Sequence, residues 1–208
     1  MSSTLTLEQA LERAEILAAG ERRVLLGIAG APGSGKSTLA AAIAGRCGDR
    51  AAIVGMDGFH LAQRELERLG RAERKGAPDT FDASGYVALL RRVRDPVEPV
   101  VYAPEFRRML EEPVASALAI PRELALVVTE GNYLLLDDGP WAAVRDLLDE
   151  CWFVQAPEPL RLQRLTDRHV AYGRAPAAAR AWALGPDQAN ARLIEATRGR
   201  AHAVIELA

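Results

Sequence analysis

The 208-residue chain carries 26 Lys and Arg against 28 Asp and Glu, a formal charge of −2, with 49% hydrophobic and 26% charged residues. This is the composition of an ordinary globular protein with enough chain for one sizeable core, and it argues against disordered, fibrous and strongly nucleic-acid-binding classes. Two cysteines, Cys47 and Cys151, form neither a disulfide framework nor a paired metal-ligand spacing with the three histidines, so we expect two buried, reduced thiols in a cytoplasmic protein.

The chain begins MSSTLTLEQALERAEILAAGERR, without a basic start or a long apolar run. It reads as an amphipathic helix capped near Thr6 rather than as a signal or a membrane span. Short apolar runs then alternate with helical patterns, as in βαβ units that feed a mostly parallel sheet. Strands are predicted at Val24–Ala29, Ala52–Met56, Val100–Tyr102, Leu124–Thr129, Cys151–Gln155 and Ala203–Leu207. Helices are predicted at Lys36–Gly45, Phe59–Leu69, Ala83–Val93, Pro140–Asp149, Pro157–Tyr172 and Pro186–Thr197. Arg91–Arg94 (RRVR) is the wet end of one of them, and neither nucleic acid nor a membrane is expected as a partner. Charge, Pro and Gly interrupt the alternation at Arg71–Thr80, Ala103–Pro113 and Gly173–Pro176, where functional loops are expected.

Gly30-Ala31-Pro32-Gly33-Ser34-Gly35-Lys36-Ser37 follows a strand and opens a helix. Two glycines with four positions between them, followed by Lys and Ser, form a P-loop: the backbone curls until its N–H groups point at an anion, and the helix dipole adds to the attraction. Lys36 supplies a cation for the β/γ-phosphates of ATP, and the Ser37 hydroxyl a ligand for Mg²⁺. Ala31, Pro32, Gly33, Ser34, Gly35 and Thr38 complete the candidate nucleotide contact. No NKxD or LSGGQ-type sequence is present, so GTP switching and ABC-type transport lose their second marker.

The second strand runs into VGMDGFH, which puts Asp57 at the carboxyl edge of a strand beside the P-loop strand, where ligands of open α/β sheets gather. A carboxylate there can accept a hydroxyl proton. Equally, Asp-Gly is a turn pair and Asp57 could cap the following helix. His60, one turn on, is a candidate hydroxyl partner.

In this order the P-loop, MDGFH, RKGAPDTFD, VYAPEF and VVTEGNYLLL resemble the phosphoribulokinase/uridine kinase superfamily. The DGF and RKGxPxxFD elements are most similar to type I pantothenate kinases and to shorter nucleoside/nucleotide or fructose transport system kinases. The resemblance covers about Gly27 to Leu207. It implies that Asp57 is the catalytic base, that Lys75, Asp79 and Asp82 belong to an acceptor-side flap with Tyr102 near its mouth, and that Glu130 follows the fourth strand close to the metal. Arg108, two residues past VYAPEF, and Asn132, in VVTEGNYLLL, join the candidate acceptor contacts. Phe106 is followed here by Arg107-Arg108 where the shorter relatives have Asp-Arg, which puts the acceptor's identity in doubt.

In PEPLRLQRLTDRHVAYGRAP, Arg161, Arg164 and Arg168 fall on one helical face, suited to a lid that grips phosphate oxygens and excludes water. His169 could stack on adenine or pack in the core, and Asn190 resembles a position near the base. His202, Trp141, Trp152 and Trp182 read as structural. The sequence therefore points to an α/β fold: a single P-loop NTPase domain over 1–208, a three-layer α/β/α sandwich around a five- or six-stranded sheet, with an N-terminal helix within 1–23 and a helical lid over about 157–185. The expected activity is transfer of the ATP γ-phosphate to a hydroxyl of a sugar, nucleoside or related metabolite. A pantothenate kinase-like enzyme and a regulatory nucleotide-binding ATPase are the alternatives, and a monomer or homodimer is expected.

Overall fold

The computed structural model describes residues 3–207. Its organising element is a six-stranded, wholly parallel sheet built from β1 (Ser3–Leu5), β2 (Val24–Ala29), β3 (Ala51–Gly55), β6 (Leu126–Gly131), β7 (Glu150–Gln155) and β8 (Ala203–Glu206). The strand order is β1-β8-β7-β2-β6-β3. Every residue of β2 is buried, as expected of a central strand covered by helices on both faces. Two cores result. One lies under α1 (Leu7–Ala18) and α2 (Lys36–Cys47), and the other under α4 (Ala83–Arg94) with the ring cluster of Phe81, Tyr86, Tyr133 and Trp141. This is the three-layer α/β/α architecture expected of the sequence.

Local chemistry fixes the helix starts. Thr6 and Gln9 form a reciprocal capping box at α1, and the Asp82 carboxylate accepts from the Gly85 amide to start α4. Pro157 stands at the cap of α6 (Glu158–Ala171).

Several elements differ from the sequence reading. The predicted strand Val100–Tyr102 extends as β4 (Val100–Arg107), and the segment read as a loop continues into β5 (Glu112–Pro121). Together they make a separate antiparallel hairpin with a register shift between Ala103 and Glu105. Pro104 and Pro113 obscured it, since proline is confined to edges and bulges. The helix predicted at Phe59–Leu69 is a 3₁₀ turn, Met56–Phe59, followed by the short α3 (Gln63–Arg68). Pro140–Asp149 likewise divides into a 3₁₀ turn and α5 (Val144–Leu147).

The last helical stretch begins earlier than Pro186. It runs through α7 (Pro176–Trp182), a π-type turn at Ala183–Asp187 and α8 (Gln188–Glu195). Pro186 has no N–H to give, so the helix widens there instead of starting there. The strand β1 was not foreseen. It adds to the sheet edge by pairing with β8. Both cysteines are buried and free.

Candidate active site

The loop between β2 and α2 sits at the carboxyl end of the sheet. Gly33 has φ +78° and its added Cβ would stand 2.7 Å from the Arg161 carbonyl oxygen; Gly35 has φ +102° and caps α2 in the left-handed region. Only glycine takes both positions without strain. The curl leaves the amides of the first turn of α2 without a helical acceptor, as at any helix start. The Ser34 amide donates to Ala31 O at 3.1 Å, and the buried Ser34 hydroxyl has no partner among the described residues.

Lys36 lies in this curl with 8% of its surface exposed. Its ammonium donates to Asn132 Oδ1 at 2.8 Å and Ala31 O at 3.2 Å. Burial pushes its pKa down to about 8, against the opposing pull of Glu130 and Asp57. Ser37 Oγ donates to Glu130 Oε1 at 3.2 Å. Glu130 is the penultimate residue of β6, not a residue after it, and it pairs in register with Ile28 of the P-loop strand and Gly55 of β3. Burial, and then the neighbouring Asp57 charge, raise its pKa.

Asp57 belongs to the 3₁₀ turn after β3, which is separated from the P-loop strand by β6 rather than adjacent to it. No side-chain cap bond joins it to α3, so its carboxylate is not a helix cap. Arg108 donates to Asp57 Oδ2 at 3.2 Å. Burial works to raise the Asp57 pKa, but His60 in its protonated form, and then the Arg108, Lys36 and Arg168 cations, outweigh it and hold the carboxyl below its ordinary value.

His60 Nδ1 lies 2.8 Å from the Asp57 carbonyl oxygen. Because a carbonyl only accepts, that nitrogen carries the proton and Nε2 remains an acceptor. Its ring packs on Phe81 and Phe106, with centroids 4.0 and 4.8 Å away, and burial lowers its pKa so that the ring is held neutral.

Two adjoining chambers open here. One, of about 320 Å³, is lined by Pro32, Gly33 and residues 35–38 of the P-loop with Glu130, Arg164 and Arg168. The other, of about 230 Å³, is walled by His60, Lys75, Phe81, Phe106, Tyr172 and Trp182. Asp57, Asn132, Arg108 and Arg168 border both.

The remaining candidates divide. Tyr102 is 55% exposed on the hairpin and lines neither chamber. Asp79 is ion-paired to Arg71 and Arg74, and Asp82 is spent on the α4 cap; both roles are structural. Arg161 leaves the expected arginine face: it is 3% exposed, and Nη1 donates to Pro32 O at 3.1 Å while Nη2 reaches Gln188 Oε1 at 3.3 Å. The helix packs against the P-loop closely enough to bury that part of the stripe, leaving Arg164 and Arg168 to the chamber.

His169 is bound to Asp187 at 2.8 Å, and Asn190 donates to Gly76 O at 3.2 Å. His202 accepts from the Cys151 amide and is structural, as are the buried Trp141 and Trp152. Trp182 departs from that reading, since it lines the second chamber beneath the Arg174 guanidinium, 3.9 Å from its ring centroid. Arg174 and Phe81 were not singled out by number, and Phe106 only as the residue before Arg107-Arg108. The Gly173–Pro176 interruption was the signal for the first, and the RKGAPDTFD and VYAPEF stretches for the phenylalanines.

No protein-family model matches the chain. A Schizosaccharomyces pombe protein provisionally named uridine kinase C227.14 is 34% identical over 175 residues, covering 80% of this chain and 74% of the relative. A pantothenate kinase of Clavibacter sepedonicus is 33% identical over 139 residues, covering 64% of this chain and 43% of its own length. Among solved structures, a protein of Silicibacter sp. TM1040 provisionally described as a fructose transport system kinase superposes with a TM-score of 0.83 at 37% identity, covering 98% of this chain and 100% of that one. With the P-loop, the parallel sheet and these relatives in agreement, the chain belongs to the phosphoribulokinase/uridine kinase superfamily of P-loop kinases.

Proposed function

We propose that the protein is an ATP-dependent kinase that moves the γ-phosphoryl group onto a hydroxyl of a small metabolite such as a sugar, a nucleoside or a related compound. One observation carries this reading: Asp57, Asn132, Arg108 and Arg168 border both the P-loop chamber and a second chamber adjoining it. A regulatory ATPase that senses nucleotide for a protein partner needs no such second chamber next to a carboxylate.

The residues of the loop fit a nucleotide triphosphate. The left-handed glycines, the free first-turn amides and the buried Lys36 make an anion cradle, and Ser37 with Glu130 form an oxygen pair suited to Mg²⁺. When bound, Mg·ATP supplies the phosphoryl group and the metal charge that offsets the charge on its oxygens. Lys36 and Arg168 meet the phosphate charge, with Arg164 at the chamber wall. His60 offers Nε2 to an acceptor hydroxyl. Asp57 orients that hydroxyl and takes its proton.

The depressed Asp57 pKa suits an orienting carboxylate. It also rests on Lys36 and Arg168, whose charges an incoming phosphate would offset, so Asp57 gains basicity when both substrates are present. Closure of α6 and α7 over the site would exclude water. A pantothenate acceptor has no more support than a sugar, because the match to the pantothenate kinase spans 43% of that enzyme.

The test is coupled ADP release over sugars, nucleosides, vitamins and pantothenate. Acceptor-dependent release supports the kinase. ATP turnover that needs only a protein partner supports the regulatory ATPase instead.

A further inference from the structure

We propose that the acceptor carries an anionic group, a phosphate monoester or a carboxylate, held by Lys75 and Arg108 beside Phe106; this rests on the kinase reading above. The two cations face one ring: Lys75 Nζ is 5.6 Å and Arg108 Cζ 5.8 Å from the Phe106 centroid. Both line the second chamber. Lys75 does not border the P-loop chamber, so ATP phosphates give no account of it.

The donors of these cations are largely unspent. The Lys75 ammonium gives one hydrogen bond, 2.8 Å long, to the backbone oxygen of Glu111, and no carboxylate lies within ion-pair distance of it among the described residues. Arg108 spends one N–H on Asp57 Oδ2. A third cation, Arg174, lines the same chamber, over the Trp182 ring and without a carboxylate partner among the described residues.

The acids of the chamber do not balance them. Asp187 is engaged by His169, Asp57 serves the reacting hydroxyl, and Glu111 is exposed at the hairpin tip. A neutral polyol that filled the chamber would strip water from Lys75 and Arg108 while offering them only weak acceptors. A carboxylate or phosphate gives them charge-assisted bonds, and the guanidinium fork of Arg108 matches either group. The chamber volume, about 230 Å³, suits a small acid or a phosphorylated sugar. In this arrangement Asp57 holds the hydroxyl, and the anion sits toward Lys75, which sets the distance between the two groups in the acceptor.

Two experiments test this. First, with the P-loop filled by Mg²⁺ and a non-hydrolysable ATP analogue, inorganic phosphate is titrated calorimetrically into the parent and into Lys75→Gln. Loss of one charge-assisted contact is expected to weaken phosphate binding about 10- to 100-fold. Equal affinities, or no phosphate binding by the parent, overturn the proposal. Second, kcat/KM is compared in ADP release for matched pairs: fructose 6-phosphate with fructose, glycerate with glycerol, and pantothenate with pantothenol. The anionic member is expected to win by at least about 100-fold, and Lys75→Gln to remove the advantage through the acceptor KM while the ATP KM stands. The pair with the largest ratio separates phosphate from carboxylate. Neutral members used as well as anionic ones overturn the anion site but leave the kinase reading standing. Failure of every acceptor, with phosphate binding as expected, overturns the kinase reading and leaves Lys75 and Arg108 as an anion site that serves no acceptor.

Discussion

Replacing Lys36 by Met is predicted to stabilise the nucleotide-free fold while destroying nucleotide binding. Lys36 holds its ammonium in the curl of the P-loop with 8% exposure, and burial lowers its pKa from 10.5 to about 8. At about 1.4 kcal/mol per pH decade, that gap corresponds to a cost of roughly 3 kcal/mol for keeping the side chain charged in the fold. Met fills the same space without charge, but it leaves Asn132 Oδ1 without a donor, at about 1 kcal/mol, and takes from Ala31 O one of its two donors, the Ser34 amide remaining, at up to about 1 kcal/mol more. The net is a gain of about 1–2 kcal/mol at pH 7, or a Tm higher by about 3–6 °C in a chain of this length. The folded-state pKa is the lower one, so the penalty is complete below pH 8 and is relieved as pH rises from about 8 to 10.5. The advantage of Lys36→Met should shrink over that window. The assay is urea denaturation of both proteins from pH 7 to 10, in phosphate-free buffer, with and without Mg·ATP. A variant at least 1 kcal/mol less stable than the parent at pH 7, or a difference that does not change with pH, would refute the reasoning.

Gly33→Ala forces a Cβ to within 2.7 Å of the Arg161 carbonyl oxygen at φ +78°; it should cost at least about 2 kcal/mol in denaturation and abolish ATP-dependent stabilisation. Arg161→Ala removes the buried donor to Pro32 O and should lower both stability, by about 2–3 kcal/mol, and ATP affinity by calorimetry, because it releases the P-loop from α6. Arg168→Ala should spare ATP affinity within about threefold while kcat falls about 100-fold, if its charge serves mainly the transferring group at the junction of the two chambers.

The parts of the fold legible in the sequence were those governed by local rules. Gly33, Gly35, Lys36 and Ser37 announce their geometry, because a left-handed turn into a helix start leaves few choices of residue. The apolar run Val24–Ala29 likewise could only be a buried strand. What escaped was set by distant contacts. The β4–β5 hairpin hides behind Pro104 and Pro113, and its register comes from pairing Val101 with Ile120, nineteen positions away. Arg161 shares the helical spacing of Arg164 and Arg168, but tight packing of α6 on the P-loop turns it into a buried strut. Asp57 was legible as a carboxylate near the nucleotide, whereas its separation from β2 by β6 depends on a strand order that no local pattern encodes. The convergence of Lys75, Arg108 and Arg174 on one chamber joins three loops and could not be read from any one of them.

The central claim is that Asp57, where the two chambers meet, presents the acceptor hydroxyl to ATP. Asp57→Asn tests it most directly, because the amide keeps the size and most hydrogen bonds of the side chain but cannot take a proton. With an acceptor identified by ADP release, the account predicts Mg·ATP affinity within about threefold of the parent and acceptor-dependent kcat lower by about 10²–10⁴-fold. Acceptor-dependent turnover within about threefold of the parent would contradict it.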